Sequence, residues 1–298
     1  MSTLKLPAFE YMEPSTVEEA IQFLVDGGEE ARVLAGGVDL LPSMRSGALT
    51  AAVLVNIKRI AGLDQLAVDE DARLVFGAAT TLHAMELSSE LRSRFPALYE
   101  AIHQITSVQS KCMGTAVGNL CVATPASDVA PALAALDAVM IAAGPEGQRA
   151  IPVEDFYVDY RRTALRRGEF VTRVEVPLPA ERRGVAFLNQ VRTHGDIAKL
   201  TVTVSLLVDE GVCRDARIAI GSAAPTMFRA TAAEQALEAT EPSGELFARA
   251  GELAAQAAMP IDDVRSTAAY RHEMAAVLVR RALSRAADSS VRAGEVAS

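Results

Sequence analysis

The sequence predicts an α+β fold in two parts, because two different patterns of helices and strands follow each other along the chain. Up to residue 177, predicted strands and helices are interspersed. From residue 185 onward, three predicted antiparallel strands come first and alanine-rich helices follow. Residues 177–184 hold two prolines and a cluster of charges. Such a stretch is typical of a boundary, so we expect one domain over residues 1–178 and a second over residues 184–288.

The first predicted elements form a small β-α-β unit. Ser15 and Glu18 have the spacing of a capping box, so a helix is expected to start there and to end at Gly27-Gly28. A short apolar strand over residues 31–35 then runs directly into Gly36-Gly37. The next predicted strand covers residues 53–57.

The remainder of the N-terminal part mixes strands, helices and one unusual stretch. Residues 106–128 are dense in Gly, Ser, Thr and Asn and predict an irregular loop. The sequence Gly144-Pro145-Glu146-Gly147 predicts a hairpin turn between two strands. The other predicted elements are a strand at 74–78, helices from Thr81 and over 96–105, strands at 138–143 and 149–153, and a strand at 170–176.

The C-terminal part reads as a sheet followed by helices. Alternating apolar residues predict three strands, at residues 185–192, 200–208 and 216–221. Alanine-rich segments then predict three helices, at residues 227–239, 243–258 and 267–287, and the tail from Asp288 is expected to fray.

Composition excludes several classes of function. The chain has 298 residues, a formal charge of −9 and no long basic tract, so nucleic acid and anionic membranes are disfavoured as partners. The start of the sequence does not have the pattern of a secretory signal, and no apolar run is long enough to span a membrane. We therefore expect a cytoplasmic protein.

The cysteines and histidines do not form a recognisable reactive or metal-binding set. Three unpaired cysteines argue against a disulfide framework and against a metal site or an iron–sulfur cluster held by this chain. Structural roles are the simplest interpretation of His83, His103 and His272, which fall in predicted helices. His194, in a predicted loop, is the one histidine that we single out for attention.

The first segment with chemical potential covers residues 34–41, where a buried strand runs into Gly36-Gly37. Glycine accepts a positive φ and lets an anion come close to the backbone N–H groups, which is what a diphosphate requires. A tight turn without a ligand is the alternative, and by itself the more common one.

The second segment runs from Gly114 to Leu133 and places small polar residues between two apolar regions. A loop that closes over a polar ligand has this composition, and so does a buried polar turn. Asp128 is placed to accept hydrogen bonds from sugar hydroxyls or, equally, to cap a helix that starts at Val129. Neither segment matches a Walker loop or the Gly-x-Gly-x-x-Gly fingerprint, so a Rossmann fold is disfavoured.

The two segments, in this order and about eighty residues apart, resemble those of the FAD-binding medium subunits of the xanthine dehydrogenase and carbon monoxide dehydrogenase family. The resemblance extends over roughly residues 5–286. Further similar segments lie at residues 9–11, 14–20, 160–165, 168–169, 195–198, 262–265 and 269–271. The resemblance implies a vanillyl-alcohol-oxidase-type (PCMH) FAD-binding domain of two α/β lobes. It also implies a C-terminal domain with a three-stranded antiparallel sheet and a helical bundle.

The resemblance also implies the residues that contact FAD. The first segment would hold the diphosphate through its backbone, the second would bind diphosphate and ribityl, and Asp128 would bind further along the same loop. Three more positions align with residues that line the cofactor in the family. The full set is Leu34, Ala35, Gly36, Gly37, Val38, Asp39, Leu40, Leu41, Ile105, Thr115, Ala116, Val117, Gly118, Asn119, Asp128, Arg162 and Val171.

Three positions depart from the family pattern. Val38 stands where the family usually has Thr, and Val117 stands where it has Gly. Because a β-branched residue tolerates a positive φ badly, we expect the turn at Val117 to differ here. The family often has a Lys near the flavin ring, in the strand before Arg192, where this chain has Leu188 and Asn189. The redox poise of the flavin and its acceptor therefore stay open.

The resemblance implies an electron-transfer function. A large partner subunit with a molybdopterin cofactor would transform the substrate, and a small partner subunit with two [2Fe-2S] clusters would pass the electrons to FAD in this chain. The acceptor would be NAD, a quinone or oxygen, and the assembly a dimer of heterotrimers. Two alternatives remain at this stage: a stand-alone flavin oxidoreductase of the same fold, and a subunit that has lost FAD and serves assembly.

Overall fold

The structure, a computed structural model, describes residues 5–105, 107–180, 182–193 and 195–297, with side chains described up to residue 294. Helices and strands alternate irregularly in the first part, and a sheet followed by helices forms the second part. The predicted α+β class is therefore confirmed.

The first sheet has three parallel strands in the order β1-β3-β2. The strands are β1 (Glu10–Met12), β2 (Ala31–Leu34) and β3 (Val53–Asn56). Helix α1 (Val17–Gly27) connects β1 to β2, and the short helix α2 (Leu40–Arg45) lies between β2 and β3. The predicted capping box is displaced by one residue. Thr16 Oγ1 accepts from Glu19 N at 3.1 Å, and Glu19 in turn accepts from Ser15 N at 2.7 Å.

The second sheet has five antiparallel strands in the order β4-β5-β10-β6-β7. The strands are β4 (Leu66–Val68), β5 (Arg73–Gly77), β6 (Val139–Gly144), β7 (Gly147–Pro152) and β10 (Phe170–Pro177). Between β7 and β10 lies a small ladder of β8 (Tyr157–Asp159) and β9 (Arg162–Thr163). The predicted hairpin is confirmed, because Gly144 pairs with Gly147.

Six short helices lie between β5 and β6. They are α3 (Leu82–Leu87), α4 (Ser89–Arg94), α5 (Pro96–His103), α6 (Val108–Met113), α7 (Ala116–Cys121) and α8 (Val129–Ala134). The stretch expected to be a loop contains two short helices, α6 and α7, within residues 107–121. Two of its polar residues are helix caps: Ser107 Oγ accepts from Ser110 N, and Thr115 Oγ1 accepts from Gly118 N.

The C-terminal sheet has four strands rather than the predicted three, in the order β11-β12-β13-β14. Three are long: β11 (Arg183–Gln190), β12 (Leu200–Asp209) and β13 (Val212–Gly221). The fourth, β14 (Phe228–Arg229), occupies the start of a predicted helix. Helices α9 (Thr231–Leu237), α10 (Gly244–Ala257) and α11 (Ala268–Ala297) follow it.

The two faces of β12 have different neighbours. Leu200, Val202, Val204 and Leu206 belong to the apolar cluster that also contains buried residues of α10 and α11. Thr201, Thr203 and Ser205 alternate with them on the opposite face and are at most 1% exposed. Phe187 and Ala219 pair with Thr203 from the neighbouring strands and belong to the core of the N-terminal part. The second face of the C-terminal sheet is therefore buried against the N-terminal part.

The predicted fraying from Asp288 is wrong, because α11 continues to Ala297. Ser290 is fully buried, and its hydroxyl donates to Arg182 O at 2.5 Å and accepts from Val208 N at 2.8 Å. The end of the helix is thus attached to both β12 and the segment that leads into β11. No helix among the described residues is long and apolar enough to cross a membrane.

Ser290→Ala is expected to lower the free energy of unfolding by about 1–3 kcal/mol, because it leaves the buried N–H of Val208 without its partner. Urea unfolding of the full chain measures this change. Ser289→Ala is the matched control, since Ser289 is exposed on the same helix turn. Equal effects of the two substitutions would contradict the attachment of α11 through Ser290.

Candidate functional site

The two glycine-containing segments touch each other although about eighty residues separate them. At Gly36, a Cβ would stand 2.0 Å from the carbonyl oxygen of Met113 and 2.8 Å from the Cα of Gly114. Backbone therefore packs directly on backbone at this point, and no side chain fits. We call the loop of residues 34–41 and the facing residues 113–119 the cradle.

The first loop of the cradle presents unpaired donors. None of the backbone N–H groups of residues 36–39 donates a hydrogen bond to a described residue. The chain turns at Gly37, which has a φ of +69°, and α2 begins with a hydrogen bond from Leu41 N to Gly37 O. Consecutive free N–H groups at such a turn form a concavity that binds anions.

The turn expected to differ at Val117 is explained by the structure. Val117 lies inside α7 and is 3% exposed, so no positive φ is required there. Val38 is 43% exposed and is not one of the residues with a positive φ. The residue of the first loop that adopts a positive φ is Gly37. Neither valine strains the cradle.

The second segment is stabilised by its own side chains. Thr115 caps α7, and the side-chain oxygen of Asn119 accepts a 2.5 Å hydrogen bond from Ser127 Oγ. Ser127 Oγ also accepts from Ala130 N at 3.1 Å and so caps α8. Asp128 makes no side-chain cap, so the alternative interpretation of this residue as a helix cap is wrong.

The Asp128 carboxylate instead reaches the C-terminal sheet. Its Oδ1 accepts a 2.8 Å hydrogen bond from Thr201 Oγ1 on β12. Burial raises the pKa of Asp128 from 3.8 to about 6, although the hydrogen bond from Thr201 opposes the shift. Asn189 lies directly opposite Thr201 in the β11–β12 ladder, so the two side chains share one face of the sheet. Sequence reasoning missed Thr201.

The three remaining residues predicted to contact the cofactor lie outside the two segments of the cradle. Ile105 follows α5 and packs against the main apolar core, and Val171 is a 2% exposed residue of β10 within that core. Arg162 is exposed on β9. Among the described residues, no hydrogen bond joins any of the three to the cradle. Their assignment to the cofactor stays a prediction.

The thiols and imidazoles do not assemble a reactive centre. Burial raises the pKa of Cys121 to about 12 and that of Cys213 to about 11, so both are neutral thiols at physiological pH. His83, His103 and His272 lie on α3, α5 and α11, and His194 lies outside the described residues. No group of three or more His, Cys, Asp or Glu side chains in the described part of the chain is placed to hold a metal ion.

Comparison with known proteins gives matches over nearly the whole chain. Residues 7–179 match the FAD binding domain in molybdopterin dehydrogenase, and residues 186–286 match the CO dehydrogenase flavoprotein C-terminal domain. The carbon monoxide dehydrogenase medium chain of Afipia carboxidovorans is 33% identical over 94% of this chain and 96% of its own length. The 6-hydroxypseudooxynicotine dehydrogenase complex subunit alpha of Paenarthrobacter nicotinovorans is 31% identical over 95% of this chain and 96% of its own length.

A solved structure supports the same comparison. A chain in the carbon monoxide dehydrogenase of Hydrogenophaga pseudoflava superposes with a TM-score of 0.92 at 32% identity. The superposition covers 96% of this chain and 99% of that chain.

Asp128→Asn is expected to stabilise the flavin-free chain by about 3 kcal/mol above pH 6, because the wild type then holds a buried carboxylate whose pKa has risen by about two units. Because the folded state binds this proton more tightly than the unfolded state, wild-type stability falls as the pH rises from about 4 to about 6. The advantage of the variant should accordingly disappear toward pH 4. Urea unfolding at several pH values measures it, and a difference that does not vary with pH would contradict the assignment.

Thr201→Val and Thr203→Val form a matched pair of controls for this carboxylate. Thr201 donates to Asp128, whereas the buried Thr203 hydroxyl has no hydrogen-bond partner in the described structure. The first substitution is expected to cost about 1–3 kcal/mol and the second to cost nothing.

Proposed function

Because this chain belongs to the family of FAD-binding medium subunits of molybdenum hydroxylases, we propose that it is the electron-transfer subunit of such a complex. Electrons would enter from the [2Fe-2S] clusters of a small partner subunit and leave to an external acceptor such as NAD, a quinone or oxygen. Substrate would react at the molybdopterin cofactor of a large partner subunit. The complex would be a dimer of heterotrimers, and this chain would contribute domains 1–178 and 184–288.

The contact between Gly36 and Met113-Gly114 is the observation that carries this proposal. It brings the two segments together, with unpaired N–H groups on the first, and it leaves no space for a side chain at residue 36. These donors suit a diphosphate, which is the anionic part of FAD. The N–H groups of residues 36–39 therefore fit the diphosphate of the cofactor. Residues 34–41 are proposed as the diphosphate site, and Thr115–Asn119 as a second segment that binds diphosphate and ribityl.

Asp128 is proposed as the second point of attachment for FAD. One of its carboxylate oxygens accepts from Thr201, and the other accepts no hydrogen bond from a described residue. A largely buried acceptor of this kind suits the ribityl or ribose hydroxyls, which would lower the pKa of Asp128 from about 6 when they donate to the carboxylate. Ile105, Arg162 and Val171 complete the proposed contacts.

FAD, when bound, supplies the capacity to accept electrons one at a time and to release two of them. The protein's own residues would hold it in place: the N–H groups of residues 36–39 would bind the anion, and Asp128 would accept hydrogen bonds from the cofactor hydroxyls. In the part of the chain that the structure describes, no group of three or more His, Cys, Asp or Glu side chains is placed to hold a metal ion for substrate chemistry. An electron-transfer function is consistent with this arrangement.

Gly36→Ala is expected to weaken FAD binding by at least about 1.4 kcal/mol, or about tenfold in Kd. The added Cβ would force the first loop away from the Met113 carbonyl, which lies 2.0 Å from its position. Flavin fluorescence titration of the full chain measures the Kd. Gly244→Ala is the control, because a Cβ there meets nothing within 4 Å. A folded Gly36→Ala chain with wild-type affinity would place the diphosphate elsewhere.

The isolated FAD-loaded chain is expected to resist reduction by organic substrates, because the proposed function places the substrate chemistry in a partner subunit. Stopped-flow absorbance at the flavin band, with aldehydes, purines, N-heterocycles and carbon monoxide, measures this. Addition of the iron–sulfur and molybdenum subunits should restore reduction by the right substrate. Rapid reduction of the isolated chain would favour a stand-alone flavoenzyme, and a colourless complex would favour a subunit that serves assembly alone.

A further inference from the structure

Helix α6, which leads into the cradle, buries its charge and exposes its apolar residues. Lys111 is 6% exposed, whereas Val108 is 61% and Met113 is 53% exposed. Burial of a lysine is costly unless a partner compensates its charge. The orientation of this helix is therefore determined by the partner of Lys111 rather than by an apolar face.

That partner is Glu86 on α3. Lys111 Nζ lies 2.5 Å from Glu86 Oε1, and the Glu86 side chain is itself only 16% exposed. Two histidines also face this carboxylate: His103 Nδ1 on α5 lies 2.9 Å from Oε1, and His83 Nδ1 lies 3.8 Å from Oε2. Burial raises the pKa of Glu86, but the hydrogen bonds from Lys111 and His103 prevail and lower it below its usual value. Glu86 thus binds Lys111 as a carboxylate.

The ion pair binds α3 to α6 just before the cradle, and a backbone hydrogen bond binds α3 to the cradle itself. At the start of α3, Leu82 N donates to Gly114 O at 2.9 Å. One turn further along α3, Glu86 binds Lys111, which lies three residues before Gly114. The two contacts lie at and just before Met113 and Gly114, the residues on which Gly36 packs.

We propose that the Glu86–Lys111 ion pair positions residues 113–119 of the cradle, so that Glu86 and Lys111 are positioning residues for FAD binding. This inference rests on the proposed function, because it concerns the same cofactor site. Neither side chain needs to touch the cofactor. Their effect passes through the backbone of residues 113 and 114 to the contact with Gly36.

The test is the Kd for FAD of the full-length chain, measured by flavin fluorescence titration below the melting temperature of every variant. Lys111→Met keeps the bulk of the side chain and removes its charge, and it is expected to weaken binding about tenfold. Glu86→Gln should weaken binding to a similar extent, because Lys111 stays buried without its counter-charge. Lys111→Arg preserves the ion pair and should retain wild-type affinity within about threefold.

A second ion pair, in which the carboxylate is buried and the cation is more exposed than Lys111, serves as the control. Arg149 binds Glu169 at 2.8 Å, with side chains 30% and 7% exposed, at the edge of the second sheet. Arg149→Met should lower the melting temperature and leave the Kd for FAD unchanged. If the role of Lys111 were purely structural, Lys111→Met would behave in the same way. The double variant Glu86→Gln/Lys111→Met should lose less affinity than the sum of the two single changes.

The possible failures are distinguishable. A wild-type chain that binds no FAD would overturn the proposed function itself. A wild-type chain that binds FAD, together with Lys111→Met and Glu86→Gln chains that bind it equally well, would overturn the positioning role alone. If Lys111→Met does not fold, Glu86→Gln against Arg149→Met decides the question, and equal losses of affinity in these two would also overturn the positioning role.

Discussion

The approach of Gly36 to the Met113 carbonyl is the constraint on which the rest of the site depends. A Cβ at this position would stand 2.0 Å from a backbone oxygen, so the two loops meet only because residue 36 is glycine. Strand β2 delivers the first loop to this point, and the attachments of α3 to Gly114 and Lys111 hold the second. Two segments that are remote in sequence thereby become one anion-binding concavity.

The cradle also depends on hydrogen bonds that link it to the C-terminal sheet. Asn119 binds Ser127, and the next residue, Asp128, binds Thr201 on β12. Ion pairs from Arg217 to Asp137 and from Arg229 to Glu154 join the same two parts of the chain elsewhere. A largely buried carboxylate is costly without hydrogen-bond donors. Asp128 therefore depends on the donor that Thr201 of the C-terminal sheet supplies. The second part of the chain thus supports the site as well as its own core.

Features that depend on neighbouring residues could be predicted from the sequence, whereas contacts between residues remote in sequence could not. A strand followed by Gly36-Gly37 is a local signal, and the structure places that pair at the cradle. Residues 106–128 were misjudged because serine and threonine favour loops and helix caps alike, and here Ser107 and Thr115 are caps. Thr201 could not be found, since its partner lies 73 residues away in sequence. The buried Lys111 was missed for the same reason.

The most direct test of this account is a crystal structure of the chain with FAD bound. We expect diphosphate oxygens within hydrogen-bonding distance of the N–H groups of Gly36, Gly37 and Val38, and a cofactor hydroxyl that donates to the free oxygen of Asp128. Gly36 should remain in contact with Met113 as it is here. Electron density that places the diphosphate away from this loop, or an Asp128 carboxylate that contacts only Thr201, would contradict it.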